Sequence, residues 1–324
     1  MSKPATSEAL RQALSDHLAS AFAPAPEQLP LQPSGKQLRT ALGRASLWGR
    51  CIYMLTRYPP AAAICALLGG EGETATGRGR LTLPEARRIA LGIVVRRQRN
   101  KVMKATALRS GIEALSPLVQ CSRDGSIAEQ VASAKGAVIV FAHMGPMFGV
   151  TAGLGLLGVQ GLVLSTVRSS LRFPAGIESW STRSSADAVS LFLKRGVESL
   201  AKGQSVIMAV DGNRGEPSVE VTMFGRQVMF QRGAGILRAL TGAPVIPVSV
   251  TWTADYGITF HAWSKLPEPA QRIPRNLMMT GTMDSIAGWL EGYIRERPED
   301  MAVSRLLTLT QAQPRTAPRR SVQS

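Results

Sequence analysis

The apolar positions change their period along this chain. Over residues 37–70, Leu42, Leu47, Ile52, Leu55 and Ile64 recur at loose helical spacing, as on a buried or membrane-facing side. Thr82 and Glu85 then form a capping box, in which the hydroxyl and the carboxylate each satisfy a backbone N–H at a helix start. The helix predicted there carries Ile89, Ile93 and Val94 on one face, and a second helix is expected over residues 101–115. From residue 137 the pattern becomes continuous. Residues 137–142 form a continuous apolar run, and 162–167, 206–210 and 245–252 are similar, mostly apolar runs, the mark of strands covered on both faces. Helical segments at about 147–157, 185–202 and 232–240 separate them. Residues 219–230, broken at Phe224-Gly225-Arg226, read as a hairpin, and Tyr256-Gly257 turns the chain into a further strand at 258–263. A last helix is expected over 282–296. This alternation predicts an α/β fold, with a mostly parallel central sheet flanked by helices and a helical N-terminal region.

The ends read differently. Residues 7–22 fit a short amphipathic helix, followed by Pro24, Pro26, Pro30 and Pro33 in linker-like sequence. Residues 1–35 are therefore expected to be a flexible extension, 36–310 one α/β domain, and 311–324 a disordered basic tail.

With 324 residues and 44 % hydrophobic content, the chain can bury a full core, which excludes whole-chain disorder. It has no apolar run of about 18 residues and no secretory leader pattern, so the expectation is a cytoplasmic protein, soluble or peripheral on the cytoplasmic face of the inner membrane. Cys51, Cys65 and Cys121 are far apart and form no CxxC or Cys/His spacing, which argues against a disulfide scaffold or a zinc site.

Charge adds a local clue. The chain carries 38 Lys plus Arg against 22 Asp plus Glu. Ten of the basic residues lie between Thr76 and Ser110, with Glu85 the one acid among them. Such a segment attracts phosphates on an anionic bilayer, an acidic carrier protein or nucleic acid, and it equally suits a solvated helix face. Nucleic acid has no support beyond charge, since aromatics make up 5 % of the chain. Trp48, Tyr53 and Tyr58, close to Arg44, Arg50 and Arg57, suit a membrane interface or a helix packed on a core.

The candidate chemistry gathers after the apolar runs, because ligands of parallel sheets bind outside the carboxyl ends of the strands. His143 follows the first run and is placed to act as a general base. Val210-Asp211-Gly212-Asn213-Arg214-Gly215 follows another, putting a carboxylate at the same edge and offering backbone that can approach a ligand closely. Arg168 ends a third run and Arg183 lies in the next loop; arginines there can bind phosphate or stabilise an oxyanion. Gly153-Leu-Gly155-Leu-Leu-Gly158 matches a dinucleotide fingerprint literally, but it falls inside the helix after His143, where it carries little weight. There is no P-loop and no GxSxG elbow.

In this order the motifs resemble the bacterial lipid A lauroyl/myristoyl acyltransferases, a branch of the lysophospholipid acyltransferase superfamily. The likeness runs from about residue 40 to 305. It rests on residues 138–145 with His143 and Gly145, on Ser165-Thr-Val-Arg168 and Arg183, on residues 210–215 with Phe224-Gly225, on residues 233–248, and on Pro298-Glu299-Asp300. The resemblance implies a glycerolipid-acyltransferase-like fold and acyl transfer from a thioester, on acyl carrier protein or coenzyme A, to a hydroxyl or amine of a lipid, sugar or specialised-metabolite acceptor. It implies a histidine general base, no metal and no cofactor. The acid that orients the histidine stands five positions later in the family; here that position is Phe148. Asp211 is the first candidate to replace it, then Glu178 or Glu216. The alternatives are an acceptor that is easier to activate, or a non-catalytic acyl- or carrier-binding homologue. Gly145, Met147, Phe148, Gly212, Arg168, Arg183 and Arg214 are the expected substrate-binding residues. The C-terminal element also departs from the family pattern, reading Met301-Ala-Val-Ser-Arg305.

Overall fold

The computed structural model describes residues 29–57, 59–68, 81–121, 136–165, 171–181, 188–211, 218–267 and 273–311. The first helix, α1 (Gly35–Thr56), starts at a capping box in which the Ser34 side chain accepts from the Gln37 backbone and the Gln37 side chain accepts from Ser34. α2 (Ala61–Leu68) follows. α3 (Leu83–Ser110) opens on the expected Thr82–Glu85 box, then runs unbroken for 28 residues. The expected second helix at 101–115 is thus the continuation of α3, followed by a 3-10 turn at Ile112–Leu118. No Gly or Pro interrupts residues 93–110, and the run of arginines is no obstacle to a helix.

Among the described residues there are nine strands. They are β1 (Val119–Cys121), β2 (Val138–Phe141), β3 (Gly161–Ser165), β4 (Ile177–Ser181), β5 (Ser205–Ala209), β6 (Ser218–Met223), β7 (Arg226–Gln231), β8 (Val245–Trp252) and β9 (Ile258–Ala262). Of these, β2, β3, β5 and β8 fall on the four apolar runs. Seven form one sheet in the order β1-β9-β8-β2-β5-β3-β4. Every pair in it is parallel except β8–β9. β6 and β7 make the expected hairpin. Between strands lie α4 (Phe148–Leu156), α5 (Ala188–Ala201) and α6 (Gly233–Thr241). α7 (Arg275–Glu296) begins about two turns earlier than expected, and α8 (Val303–Gln311) closes the described chain after a 3-10 turn at Pro298–Asp300.

The strand runs are continuous because apolar clusters cover both faces of the sheet. On β2, Val138 and Val140 join one cluster and Ile139 the other; on β5, Val206 and Met208 oppose Ile207 in the same way. α3 serves both clusters, with Ile89, Ile93 and Val94 in the first and Val102 and Met103 in the second. Along α1, Leu42 and Ile52 are buried, as is Ile64 on α2, whereas Leu47 and Leu55 are exposed. Tyr53 is core, Trp48 is at the surface, and Tyr58 lies outside the described residues. The glycine triplet sits in and just after α4, as expected. A Cβ on Gly153 would lie 2.6 Å from the Phe260 ring, so this glycine serves helix–sheet contact. No single described helix is long and apolar enough to cross a membrane. The extension up to residue 28 and the tail from 312 lie outside the described residues.

Candidate active site

β2 and β5 are parallel neighbours in which Phe141 stands opposite Ala209. Two residues beyond each strand end, the same register brings His143 opposite Asp211. Successive side chains alternate faces, so residues at equal distance past paired positions project the same way. The outcome is a tight couple: Asp211 Oδ1 accepts from the His143 backbone N–H at 2.9 Å and lies 2.8 Å from the ring Nδ1. The second oxygen, Oδ2, is paired with Arg305 at 3.1 Å. The Asp211 side chain is 2 % exposed, and that of His143 is 46 % exposed.

The electrostatics follow from this geometry. Burial of the ring opposes the imidazolium, but the hydrogen bond and charge of Asp211 outweigh burial and the repulsion from Arg305, so the His143 pKa lies above its usual value. For Asp211, burial opposes ionisation, yet the contacts with His143 and the charge of Arg305 hold its pKa below the usual value. With Nδ1–H directed at a carboxylate, Nε2 of the neutral ring is the basic nitrogen left for a ligand.

The turn that carries His143 is held from two sides. Gly145 adopts φ +54°, and a Cβ there would come within 2.5 Å of the Val250 carbonyl oxygen, which explains why glycine occupies it. Its N–H donates to the Asp300 carbonyl at 2.8 Å, and its own carbonyl accepts from the Asn100 amide at 2.8 Å. Tyr293 donates toward both the Val250 carbonyl and Asp300 Oδ2. The Asp300 carboxylate is buried against Arg96, which also pairs with Glu299 at 2.9 Å. Burial pushes the Asp300 pKa up to about 6, against the opposing pull of Arg96. His143 opens onto a cleft of about 340 Å3 whose walls are Ile93, Arg96, Arg97 and Asn100 of α3 and residues 300–304.

The basic row on α3 is therefore not one uniform face. Arg96 turns to the acids of residues 299–300. Arg99 donates to Ser46 and stacks between Trp252 and Tyr256, 5.4 and 4.9 Å from their ring centroids; burial and the charge of Arg96 lower its pKa to about 10. Arg87 and Arg88, by contrast, are exposed. Arg78 and Arg80 lie outside the described residues.

Of the residues expected from sequence, His143, Asp211 and Gly145 come together. Phe148 starts α4 and packs in the second core cluster with Met147 against it, and neither forms part of the cleft wall. Leu154 is core. Arg168, Arg183, Gly212, Arg214 and Glu216 lie outside the described residues. Glu178 sits on β4, exposed and paired with Arg195 at 3.2 Å. His261 lies within β9, its Nε2 3.0 Å from Thr251 Oγ1. Sequence reasoning did not single out Arg97, Asn100, Asp300 or Arg305 individually. For Arg305 there was a signal, a lone arginine among Val303, Leu306 and Leu309, all of which are buried. Among the described residues, no group of three or more His, Cys, Asp or Glu could hold a metal ion.

No curated protein matches the chain. The family model for bacterial lipid A biosynthesis acyltransferases matches residues 126–303, a span that includes β2, His143, Asp211 and Asp300. The chain therefore belongs to the bacterial lipid A biosynthesis acyltransferase family.

Proposed function

We propose that this protein transfers an acyl group from a thioester to a hydroxyl of a lipid acceptor, with His143 as general base and Asp211 in place of the acid missing at Phe148. The observation that carries this reading is the His143–Asp211 couple, set between two parallel strand ends at the mouth of the cleft. In the reaction, Nε2 takes the proton of the acceptor hydroxyl as its oxygen bonds to the thioester carbonyl carbon. The tetrahedral intermediate collapses by breaking the C–S bond. The departing thiolate takes the proton from the imidazolium, leaving an ester, a free thiol and neutral His143. Asp211 fixes the tautomer and stabilises the imidazolium between these steps.

The basic wall of the cleft supports an anionic donor or acceptor, and an amine acceptor would use the same base. The donor thiol belongs to acyl carrier protein or coenzyme A; both have a phosphorylated pantetheine arm. We place the reaction at the cytoplasmic face of the inner membrane. In support, the exposed Leu47, Met54 and Leu55 on α1 stand among Arg44, Arg50 and Arg57, with no acid between residues 35 and 57.

The test is intact-mass detection of acylated product from acyl-carrier-protein and acyl-CoA panels with lipid, sugar and amine acceptors. Transfer by the wild type that is abolished in folded His143→Ala, and cut by about 10^3- to 10^4-fold in Asp211→Asn, is the expected result. Donor binding with no turnover in the wild type would instead make the chain a non-catalytic acyl-binding homologue.

A further inference from the structure

Neither the family's histidine nor its replacement acid accounts for Arg305. This residue comes from α8, the last helix described, which packs against α2 on the far side of the chain from β2 in sequence. Its side chain is 10 % exposed, and burying a guanidinium is costly unless it is paired. Its partners are specific: Asp211 Oδ2 at 3.1 Å, and the face of Phe230 with the guanidinium carbon 6.0 Å from the ring centroid. The two oxygens of Asp211 are thereby divided. Among the described residues, Oδ1 serves His143, through ring and backbone, and Oδ2 serves Arg305. A carboxylate held at both ends cannot rotate away from the imidazole. The neighbouring Leu306 and Leu309 are buried in the first core cluster, so the helix that carries Arg305 is itself fixed by packing.

We propose that Arg305 is a positioning residue for the transfer reaction, acting on His143 through the Asp211 carboxylate and not through contact with substrate. The inference rests on the proposed role of His143. Among the described residues, the charged groups around His143 are Asp211 and Arg305 and, across the cleft, Arg96, Arg97 and Asp300. Arg305 does two things at once. It keeps Asp211 ionised, and its positive charge opposes protonation of His143. Removing that charge while Asp211 stays ionised leaves the imidazolium more favoured, so His143 must hold its proton to a higher pH.

The experiment combines activity with a readout that needs no substrate. The chain has three histidines, so the ring resonances of His143 can be assigned by comparison with His143→Ala and titrated by NMR. In Arg305→Met, the His143 titration should move to higher pH. The acid limb of the kcat profile should move with it, and kcat should fall roughly ten- to a hundredfold, as when an outer partner of a catalytic ligand is lost, with KM held. Arg305→Lys should recover much of the loss, since it returns the charge without the planar fork. The double variant Arg305→Met/Asp211→Asn should be no slower than Asp211→Asn alone, because both substitutions act through one carboxylate. An unmoved His143 titration in Arg305→Met, or losses that multiply in the double variant, would overturn the proposal. Should Arg305→Met fail to fold, the lysine and double variants carry the same test, the latter leaving no unpaired buried charge. Failure of the underlying reading is distinct: transfer would then survive His143→Ala, whatever the NMR titration of Arg305→Met does.

Discussion

His143 and His261 stand two strands apart in one sheet and have opposite surroundings. His261 lies inside an antiparallel pair, where its neighbour is the neutral hydroxyl of Thr251. Burial, with the positive charge of Arg297, lowers its pKa. His143 lies just past a parallel strand end, where its neighbour is a buried carboxylate and its pKa is raised despite burial. The difference comes from topology. Inside the antiparallel pair the ladder continues past His261 to Ala262. At the carboxyl end of the parallel pair, residues 68 apart in sequence meet beside a cleft. The role proposed for His143 rests on its carboxylate partner and the adjoining cleft, not on residue type alone.

The largest effect that could break this comparison is the loss of each ring. His143→Ala should lower kcat/KM by about 10^4-fold, at the upper end of general-base catalysis, and His261→Ala by less than about threefold. Equal losses in the steady-state assay would show that the two positions do not differ as described.

Next in size is the turn beneath His143. Gly145→Ala must place a Cβ against the Val250 carbonyl at a positive φ. It should cost about 1–3 kcal/mol of stability and, by shifting the imidazole, a further loss of turnover. A chemical-denaturation curve that overlays the wild type would refute this account of the turn.

The pH responses should differ in sign. A general base works when neutral, so log kcat/KM should rise with pH and level off above a pKa higher than the ordinary histidine value of about 6.5. In Asp211→Asn the limb should shift down, because burial is then unopposed. For stability, His143 has its pKa raised by folding. Its contribution is fully present below about pH 6.5 and is lost as pH rises through the folded pKa. Asp211, lowered by folding, contributes above about pH 4 and loses that contribution as pH falls through its folded pKa. The melting-temperature gap between wild type and Asp211→Asn should therefore be widest between about pH 4 and 6.5. His261 runs the other way: its pKa is lowered by folding, so its contribution is present above about pH 6.5 and lost as pH falls. His261→Ala should gain stability relative to wild type between pH 8 and pH 5. A gap for Asp211→Asn that is flat across this range would remove the electrostatic half of the comparison.

The smallest effect belongs to the partner of His261. Thr251→Val should cost less than about 1 kcal/mol and leave turnover unchanged, since it removes one ordinary hydrogen bond away from the cleft. A measurable change in kcat would tie the antiparallel pair to the chemistry after all.

Much of this fold was legible from residue order. β2, β5 and β8 are mostly apolar runs because both faces of the sheet are covered, and such runs need no tertiary information to recognise. β1 and β4 escaped notice for a physical reason. They sit at the two ends of the sheet, and β4 carries Glu178 and Ser179 where a central strand would be apolar. α8 was missed because it lies close to a polar, Pro- and Arg-containing tail. At the site, His143 and Asp211 were visible as residues after apolar runs, and Phe148 was visible as an orienting acid that was absent. The core position of Phe148 and the division of Asp211 between two cations were not visible.

The sequence by itself determined the local decisions. The Thr82–Glu85 cap, the hairpin at Phe224-Gly225 and the strand cores each depend on neighbours within a few residues. The tertiary structure alone decided which strand ends lie side by side, and so that Asp211 rather than Glu178 faces His143. It also turned Arg96 and Arg99 inward from a row that reads as uniformly basic, and it brought Arg305 to the buried carboxylate. The physical reason is the same in each case. A buried charge is tolerated only where a partner is delivered to it, and that delivery depends on sheet order and helix packing, which no local pattern encodes.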